Sequence, residues 1–594
     1  MRHALLAIAL CLLCGSDLRA QRVDLPIGMA PWEYGLVPAY RDSRATGARG
    51  ITQPPDFMPR TMGEWEEIQG LVVTWASFPS ILKQIVRHAK EECEVIIVCN
   101  DPASVTGYLQ GNQAGGPLPD LANITLLQGG FNSIWARDYM AETIYRNEVD
   151  SLYLLDWIYN RPRPLDDGVS DLVGDHLDIP VYATTQAPYD LVHTGGNFMA
   201  DGFGTAFSSN LVLDENGPNG QFNQTVKTPA EVDAIMGQWM GIAQGRYVKM
   251  PTLPYDGIHH IDMHMKLLDE ERLLVGEFPV GVSDGPQLES NLSGVVAGYN
   301  SVFGTPYELI RVPMVPATNG NYPPQGSYRT FSNLVFVNGT VLVPTYREEV
   351  DTTGLRIIRE ALPGYKVVGI DCDNNGSNII AQSGAIHCIT KGIGTGDPLL
   401  IRHQPLPDVF ADGGSDPYPV SAYIRHRSGI ASADLYWTTD TADGFNAVEM
   451  VPVGGNDWSA SIPAQMAGTT VYYYVHATAN SGKQQVRPIV APRGWWRFHV
   501  MGISTGTAEA APIIAEVFPN PVSQVAVIGL QWPQGSPVQV VLRDALGRVA
   551  LKLHDGALPS DSRLFVDVRG LTPGVYLIDA TTANGRATQR LVVK

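Results

Sequence analysis

This chain is poor in cysteine, poor in positive charge and almost without long apolar runs, and each shortage removes a class of function. It has six cysteines in 594 residues. Cys11 and Cys14 lie near the N-terminus, which leaves Cys93, Cys99, Cys372 and Cys388, too few for a disulfide scaffold. Cys93 and Cys99 flank the apolar run Val95-Ile96-Ile97-Val98 and read as core fillers. There is no CxxC pair and no His/Cys cluster, so no metal site is expected. Lys and Arg total 41 against 60 Asp and Glu, a formal charge of -19. That balance argues against a polyanionic partner such as nucleic acid and suits a cationic substrate. The apolar run at residues 4–13 is too short to span a bilayer. Arg2 and His3 precede it and Leu18-Arg19-Ala20 follows, so residues 1–20 read as an export signal. No later stretch reads as a transmembrane segment.

A hydrophobic content of 44% with 17% charged residues describes a globular protein. Its length calls for several domains at about 100–200 residues each. An N-terminal extension, 21–58, leads into a unit at 59–405. Helical patterns there (80–92, 229–242, 354–361) alternate with short apolar strands (71–75, 94–99, 152–155, 273–275, 334–337, 341–343), an α/β pattern. No internal repeat is evident. Residues 406–502 are all-β in character, with strands at 433–437 and 470–476 and turns at Asp443-Gly444 and Gly454-Gly455, and read as an immunoglobulin-like sandwich. A small polar linker, 503–513, leads to a second β-sandwich at 514–594.

Four short segments carry candidate chemistry. Ile386-His387-Cys388 offers a thiol after a small-residue approach, Gly384-Ala385, and a thiolate is the strongest nucleophile available at neutral pH. Trp135-Ala136-Arg137-Asp138-Tyr139 offers a carboxylate that can bind a guanidinium by paired hydrogen bonds, with Trp135 placed to cover one face of the cation. His260-Ile261-Asp262 alternates about one apolar residue, and on a strand both polar groups would project together. His259 and His264 stand close by, and this histidine run matches no zinc spacing. His193-Thr194-Gly195-Gly196-Asn197, followed by Asp201-Gly202, is glycine-dense and reads alone as a hairpin. A cation held by two carboxylates, a thiolate and a proton-moving imidazole is what covalent hydrolysis of a guanidinium requires.

Together these segments resemble the Porphyromonas-type peptidylarginine deiminases and the related agmatine deiminases, over roughly residues 59–394. The resemblance implies a pentein-type five-bladed α/β propeller. It places the cation-binding carboxylates on Asp138 and Asp262, the acid/base on His260 and the nucleophile on Cys388. No metal or organic cofactor is implied. Asn160-Arg161-Pro162-Arg163-Pro164 resembles the segment that grips the carboxylate of a C-terminal arginine in the peptidylarginine branch. Thr194 matches that branch, and Asn333 a further substrate-contact position. Gly384-Ala385 and Met263 depart from the family pattern. The implied reaction is peptidylarginine to citrulline plus ammonia through a covalent thiouronium. The alternatives are an agmatine deiminase giving N-carbamoylputrescine, a non-catalytic surface adhesin, and a papain-like protease, which the motif order fits poorly. Residues 514–594 carry Phe518-Pro519-Asn520-Pro521, Asp544-Ala545-Leu546-Gly547-Arg548 and Leu571-Thr572-Pro573-Gly574-Val575-Tyr576. They resemble the type A C-terminal sorting domain of type IX secretion systems, which implies that machinery as a partner and a secreted or cell-surface location.

Overall fold

The computed structural model describes residues 25–46, 49–374, 376–411, 416–502, 513–531, 537–559, 561–582 and 585–594. The expected export signal at 1–20 and residues 503–512 of the expected linker lie outside the described residues. The chain forms two units, 1–501 and 502–594.

The first unit begins with five small mixed sheets built on one plan. In each, two antiparallel strands are followed by a helix and a third strand parallel to the second. One sheet runs Glu142–Arg146, Leu152–Tyr159, helix Val169–Leu177, Val181–Thr184. The next runs Met199–Ala200, Ala206–Ser209, helix Pro229–Met240, Tyr247–Met250. Then come Met265–Leu267, Arg272–Glu277, helix Gly285–Gly298, Glu308–Pro313, and Val335–Val337, Thr340–Thr345, helix Glu348–Ala361, Lys366–Asp371. The fifth sheet joins both ends of the region. Lys391–Gly394 pairs antiparallel with Ile68–Thr74, which runs parallel to Glu94–Cys99 after helix Pro79–Ala89. A structural repeat is therefore present that the sequence does not reveal, because the plan survives in strand order while the residues differ.

Local chemistry sets these elements. Helix Pro79–Ala89 starts on a proline and buries Ile81, Leu82, Ile85, Val86 and Ala89, a 3–4 residue spacing that turns one face to the sheet. Helix Pro229–Met240 has a reciprocal capping box between Thr228 and Glu231 and stops at left-handed Gly241. Strand Glu94–Cys99 is buried along almost its whole length, as a central parallel strand should be. Cys93, Cys99, Cys372 and Cys388 are all buried, and none of the four is in a disulfide.

Two further sheets follow in the first unit. Leu400–Arg402, Tyr418–Arg425, Asp457–Ile462 and Val451–Gly454 form one, and the other is built around Ile430–Thr438 and Thr470–Ala479. Their facing side chains, among them Val420, Ile424, Leu435, Val475 and Phe498, form a separate core. Ion pairs join these sheets to the preceding region: Lys483 to Glu67 at 2.7 Å and Arg487 to Glu270 at 2.8 Å. The second unit has a three-stranded sheet and a four-stranded sheet around Ile528, Leu530, Val540, Leu542, Ile578 and Leu591. Among the described residues no helix is long and apolar enough to cross a membrane.

Candidate active site

The recurring plan brings the four segments together. Each forms a single helical turn just before the first strand of its sheet. Ala136–Tyr139 precedes Glu142–Arg146, Gly195–Asn197 precedes Met199–Ala200, Ile261–Met263 precedes Met265–Leu267, and His387–Ile389 precedes Lys391–Gly394. Asn333 stands at the same place before Val335–Val337. Equivalent positions of a repeated unit thus deliver Asp138, Gly196, Asp262, Asn333 and Cys388. The strand expected for His260 and Asp262 is not formed: Asp262 lies in a 3-10 turn and His260 immediately precedes it. A period of two over three residues also fits a tight turn, and here the turn wins.

Gly196 marks the centre of the site. A Cβ at that position would lie 2.6 Å from His260 Nδ1, 2.8 Å from Asp138 Oδ1 and 3.2 Å from Asp262 Oδ2. No side chain fits there, and both carboxylates and the imidazole meet around one point. The Gly196 N–H donates to Asp138 Oδ1 at 3.2 Å, and His260 Nδ1 is 3.5 Å from the same oxygen. His260 Nε2 pairs with the Thr194 hydroxyl at 3.1 Å. The Cys388 thiol donates to Asp262 Oδ2 at 3.4 Å, while Asn333 Nδ2 donates to the sulfur at 3.3 Å. His387 Nδ1 meets Asp262 Oδ2 at 2.8 Å. Asp138 Oδ2, Asp262 Oδ1 and His260 Nδ1 are buried without a hydrogen-bond partner. Two unmatched carboxylate oxygens in so dry a place are costly unless a cation with N–H donors takes them.

The electrostatics split the pair. Burial and the charge of Asp262 push the Asp138 carboxyl up to about 8. Burial also works to raise Asp262, but the hydrogen bond and charge of His387, aided by His260, bring it below the ordinary range. Burial takes His260 down to about 3. Burial and the two aspartates raise the Cys388 thiol well above its usual value. A neighbouring imidazolium is an obvious device for making a thiolate, but burial disfavours the charged form of His260.

Trp135 is fully buried, its Nε1 donating to Leu25 O at 2.8 Å. Its ring packs on Gly384, where a Cβ would stand 2.4 Å from the indole and 3.2 Å from Cys388 Cβ. The arginine pair expected to clamp a substrate carboxylate is otherwise engaged. Arg163 donates to Glu33 at 2.8 and 2.9 Å and to the carbonyls of Pro26 and Gly28. Arg161 Nε donates to Ile27 O at 2.8 Å, and its charge acts on Asp138 and His260. An N-terminal segment, continued by helix Val37–Thr46, therefore lies across both arginines and Trp135. His193 supports the scaffold, bonded to Tyr247 at 2.8 Å and stacked on Trp157. Sequence reasoning assigned no role to Glu64 or His387. The signal for His387 was its place beside Cys388; Glu64, in an acidic turn, gave none.

A model of the Porphyromonas-type peptidyl-arginine deiminase family matches residues 60–393, more than half of the chain. A model of the secretion-system C-terminal sorting domain matches residues 516–594. A putative agmatine deiminase of Vibrio parahaemolyticus is 22% identical over 302 residues, which is 46% of this chain and 78% of that protein. One of Streptococcus mutans is 23% identical over 334 residues, 52% of this chain and 85% of its own. Among solved structures, a putative arginine deiminase from Porphyromonas gingivalis aligns with TM-score 0.49 and 20% identity over 57% of this chain and 99% of its own.

Proposed function

This chain belongs to the Porphyromonas-type peptidyl-arginine deiminase family, and from that premise we propose that it converts the C-terminal arginine of a peptide to citrulline, releasing ammonia. The family hydrolyses C–N bonds of linear amidines, and this chain is such a deiminase. The observation that carries the reading is the meeting of Asp138, Asp262 and His260 about Gly196, with unmatched carboxylate oxygens on both aspartates. In this reading the five sheets close as a propeller around the site. The catalytic domain is 59–405, the sandwich 406–502 and the sorting domain 514–594.

The chemistry runs as follows. The guanidinium binds between Asp138 and Asp262, and its charge expels the proton from Asp138 and favours a thiolate at Cys388. Neutral His260 takes the thiol proton. The sulfur attacks the guanidinium carbon, forming a C–S bond and a neutral tetrahedral adduct. The His260 imidazolium returns its proton to one nitrogen, the C–N bond breaks, ammonia departs and a cationic thiouronium remains on Cys388. His260 then takes a proton from water as its oxygen attacks the same carbon. The C–S bond breaks with its electron pair on sulfur, the adduct's remaining O–H proton passes to that sulfur, and the neutral ureido product leaves; the proton on His260 is released to solvent, where the ammonia takes it up. Asn333 holds the sulfur and Trp135 walls the pocket.

Agmatine is the second reading. It is favoured by the bonds of Arg163 to Glu33, which occupy donors that a substrate carboxylate would use. The sorting domain at 516–594 indicates export from the cell or to its surface; we assign the step to type IX machinery, after signal removal at residue 20. The test is ammonia release from agmatine, free arginine and an arginine-terminated peptide, with Cys388→Ser as control. The peptide should be turned over fastest and the variant should lose activity on all three by at least about a thousandfold. Equal or faster turnover of agmatine selects the second reading, and undiminished turnover by Cys388→Ser removes the mechanism.

A further inference from the structure

His387 takes no part in the chemistry above, yet it is fully buried and both its ring nitrogens face carboxylates. Nδ1 lies 2.8 Å from Asp262 Oδ2, and Nε2 lies 2.9 and 3.1 Å from the two oxygens of Glu64. A neutral imidazole has one N–H and can satisfy only one such partner. Filling both contacts takes two N–H donors, which is the imidazolium. Its backbone is pinned as well, because the His387 N–H donates to Asn333 Oδ1 at 3.0 Å. That bond fixes the backbone from which the ring projects and ties it to Asn333, while the contacts with Asp262 and Glu64 hold the ring itself.

Glu64 is held in turn. It receives Lys266 at 2.6 Å and stands 3.4 Å from Arg137. Burial works against its charge, but Arg137, His387 and Lys266 bring the carboxyl well below its ordinary range. Arg137 immediately precedes Asp138, and Lys266 follows Asp262 by four residues, so both aspartate segments meet at Glu64.

Resting on the deiminase reading, we propose that His387, clamped between Glu64 and Asp262, is a positioning residue for the reaction. It fixes Asp262 as the permanent anion of the pair and aims Oδ2 at the Cys388 sulfur. Two buried carboxylates sharing one point tend to keep one proton between them, and without a fixed cation either could hold it. His387 decides the matter, so that the aspartate beside the nucleophile is always charged and the proton rests on Asp138 until substrate arrives. The other groups acting on Asp262 are His260, Cys388, Asp138, His264, Asp256 and Lys266. Of these Lys266 is the only fixed cation, and its ammonium is bonded to Glu64.

The test uses the full chain and two variants, His387→Gln and Glu64→Gln. His387→Gln keeps one donor and removes the charge. It should raise KM for the guanidino substrate about tenfold to a hundredfold, the worth of one charge-assisted hydrogen bond, with a smaller change in kcat. It should also move the acid limb of kcat/KM upward by about one pH unit. Glu64→Gln should move both in the same direction by less. A merely structural role would lower kcat and the folded fraction and leave the limb in place. A folded His387→Gln enzyme with wild-type KM and pH profile overturns the proposal. A second readout needs no turnover: nitrogen NMR of the imidazoles in wild type should show a hydrogen-bonded proton on each ring nitrogen of His387, as its two carboxylate contacts require. A single-tautomer signal there overturns the positioning role. Absence of ammonia release from every guanidino substrate by wild type would instead remove the deiminase reading on which the proposal rests.

Discussion

Asp138 and Asp262 are chemically identical side chains whose surroundings move their pKa values in opposite directions. Asp262 is charged because His387 bonds it. Asp138 has only a backbone N–H at 3.2 Å and a neutral imidazole beside it, so burial decides and carries it to about 8. A carboxyl raised in the folded state holds its proton where the unfolded chain has lost it. Its contribution to stability is therefore intact below the unfolded value near 4 and declines as pH rises toward 8. Asp138→Asn removes that liability and offers an amide to Asp262. The variant should melt a few degrees higher than wild type at about pH 8, with a smaller gain at about pH 5, while losing deiminase activity. Thermal melts at both pH values check this; a lower melting temperature at the higher pH would contradict the assignment.

At the scale of elements, the site is assembled from one-turn segments that each lead into the first strand of a sheet. Some strands and helices were legible to within a few residues, as with strand Glu94–Cys99, from its apolar run, and helix Pro229–Met240, from its explicit cap; helix Glu348–Ala361 was read as starting six residues late, and helices Val169–Leu177 and Gly285–Gly298 were not read. The short turns were not, since three residues such as His260-Ile261-Asp262 carry no period that separates strand from 3-10 turn. The cysteine, histidine and aspartates stood out because each lies in a compact motif. Glu64, within Gly63-Glu64-Trp65-Glu66-Glu67, looks like a solvated acidic turn and gains meaning only from what packs on it. The N-terminal segment was hidden for a similar reason: residues 25–28 act through backbone carbonyls, which no side-chain pattern announces. Its side-chain anchors include the buried Glu33–Arg163 and Arg44–Asp167 pairs. Breaking such a pair leaves a buried charge alone, at a cost of about 3–5 kcal/mol. Glu33→Ala should therefore loosen the segment and raise the alkylation rate of Cys388 by about tenfold or more. Thiol labelling with peptide mapping measures it. An unchanged rate would mean that the segment does not govern access to the sulfur.

At the scale of the whole molecule, the work divides between two units. The first holds every residue of the candidate site and locks the sheets at 400–502 onto the five-sheet region through Lys483–Glu67 and Arg487–Glu270. The second, 502–594, has its own core and matches a sorting domain, so export and catalysis reside in separately folded parts. A net charge of -19 also accords with a cationic headgroup as substrate. The central claim is that the sulfur of Cys388, among two aspartates and His260, forms a covalent bond to a guanidinium carbon. The most direct measurement is the mass of the Cys388 peptide after acid quenching of the chain ending at Met501 during turnover of an arginine-terminated peptide. The account predicts undiminished turnover and a substrate-derived thiouronium adduct on Cys388 alone. Continued ammonia release with no adduct on that residue, or with the adduct on another cysteine, would contradict it.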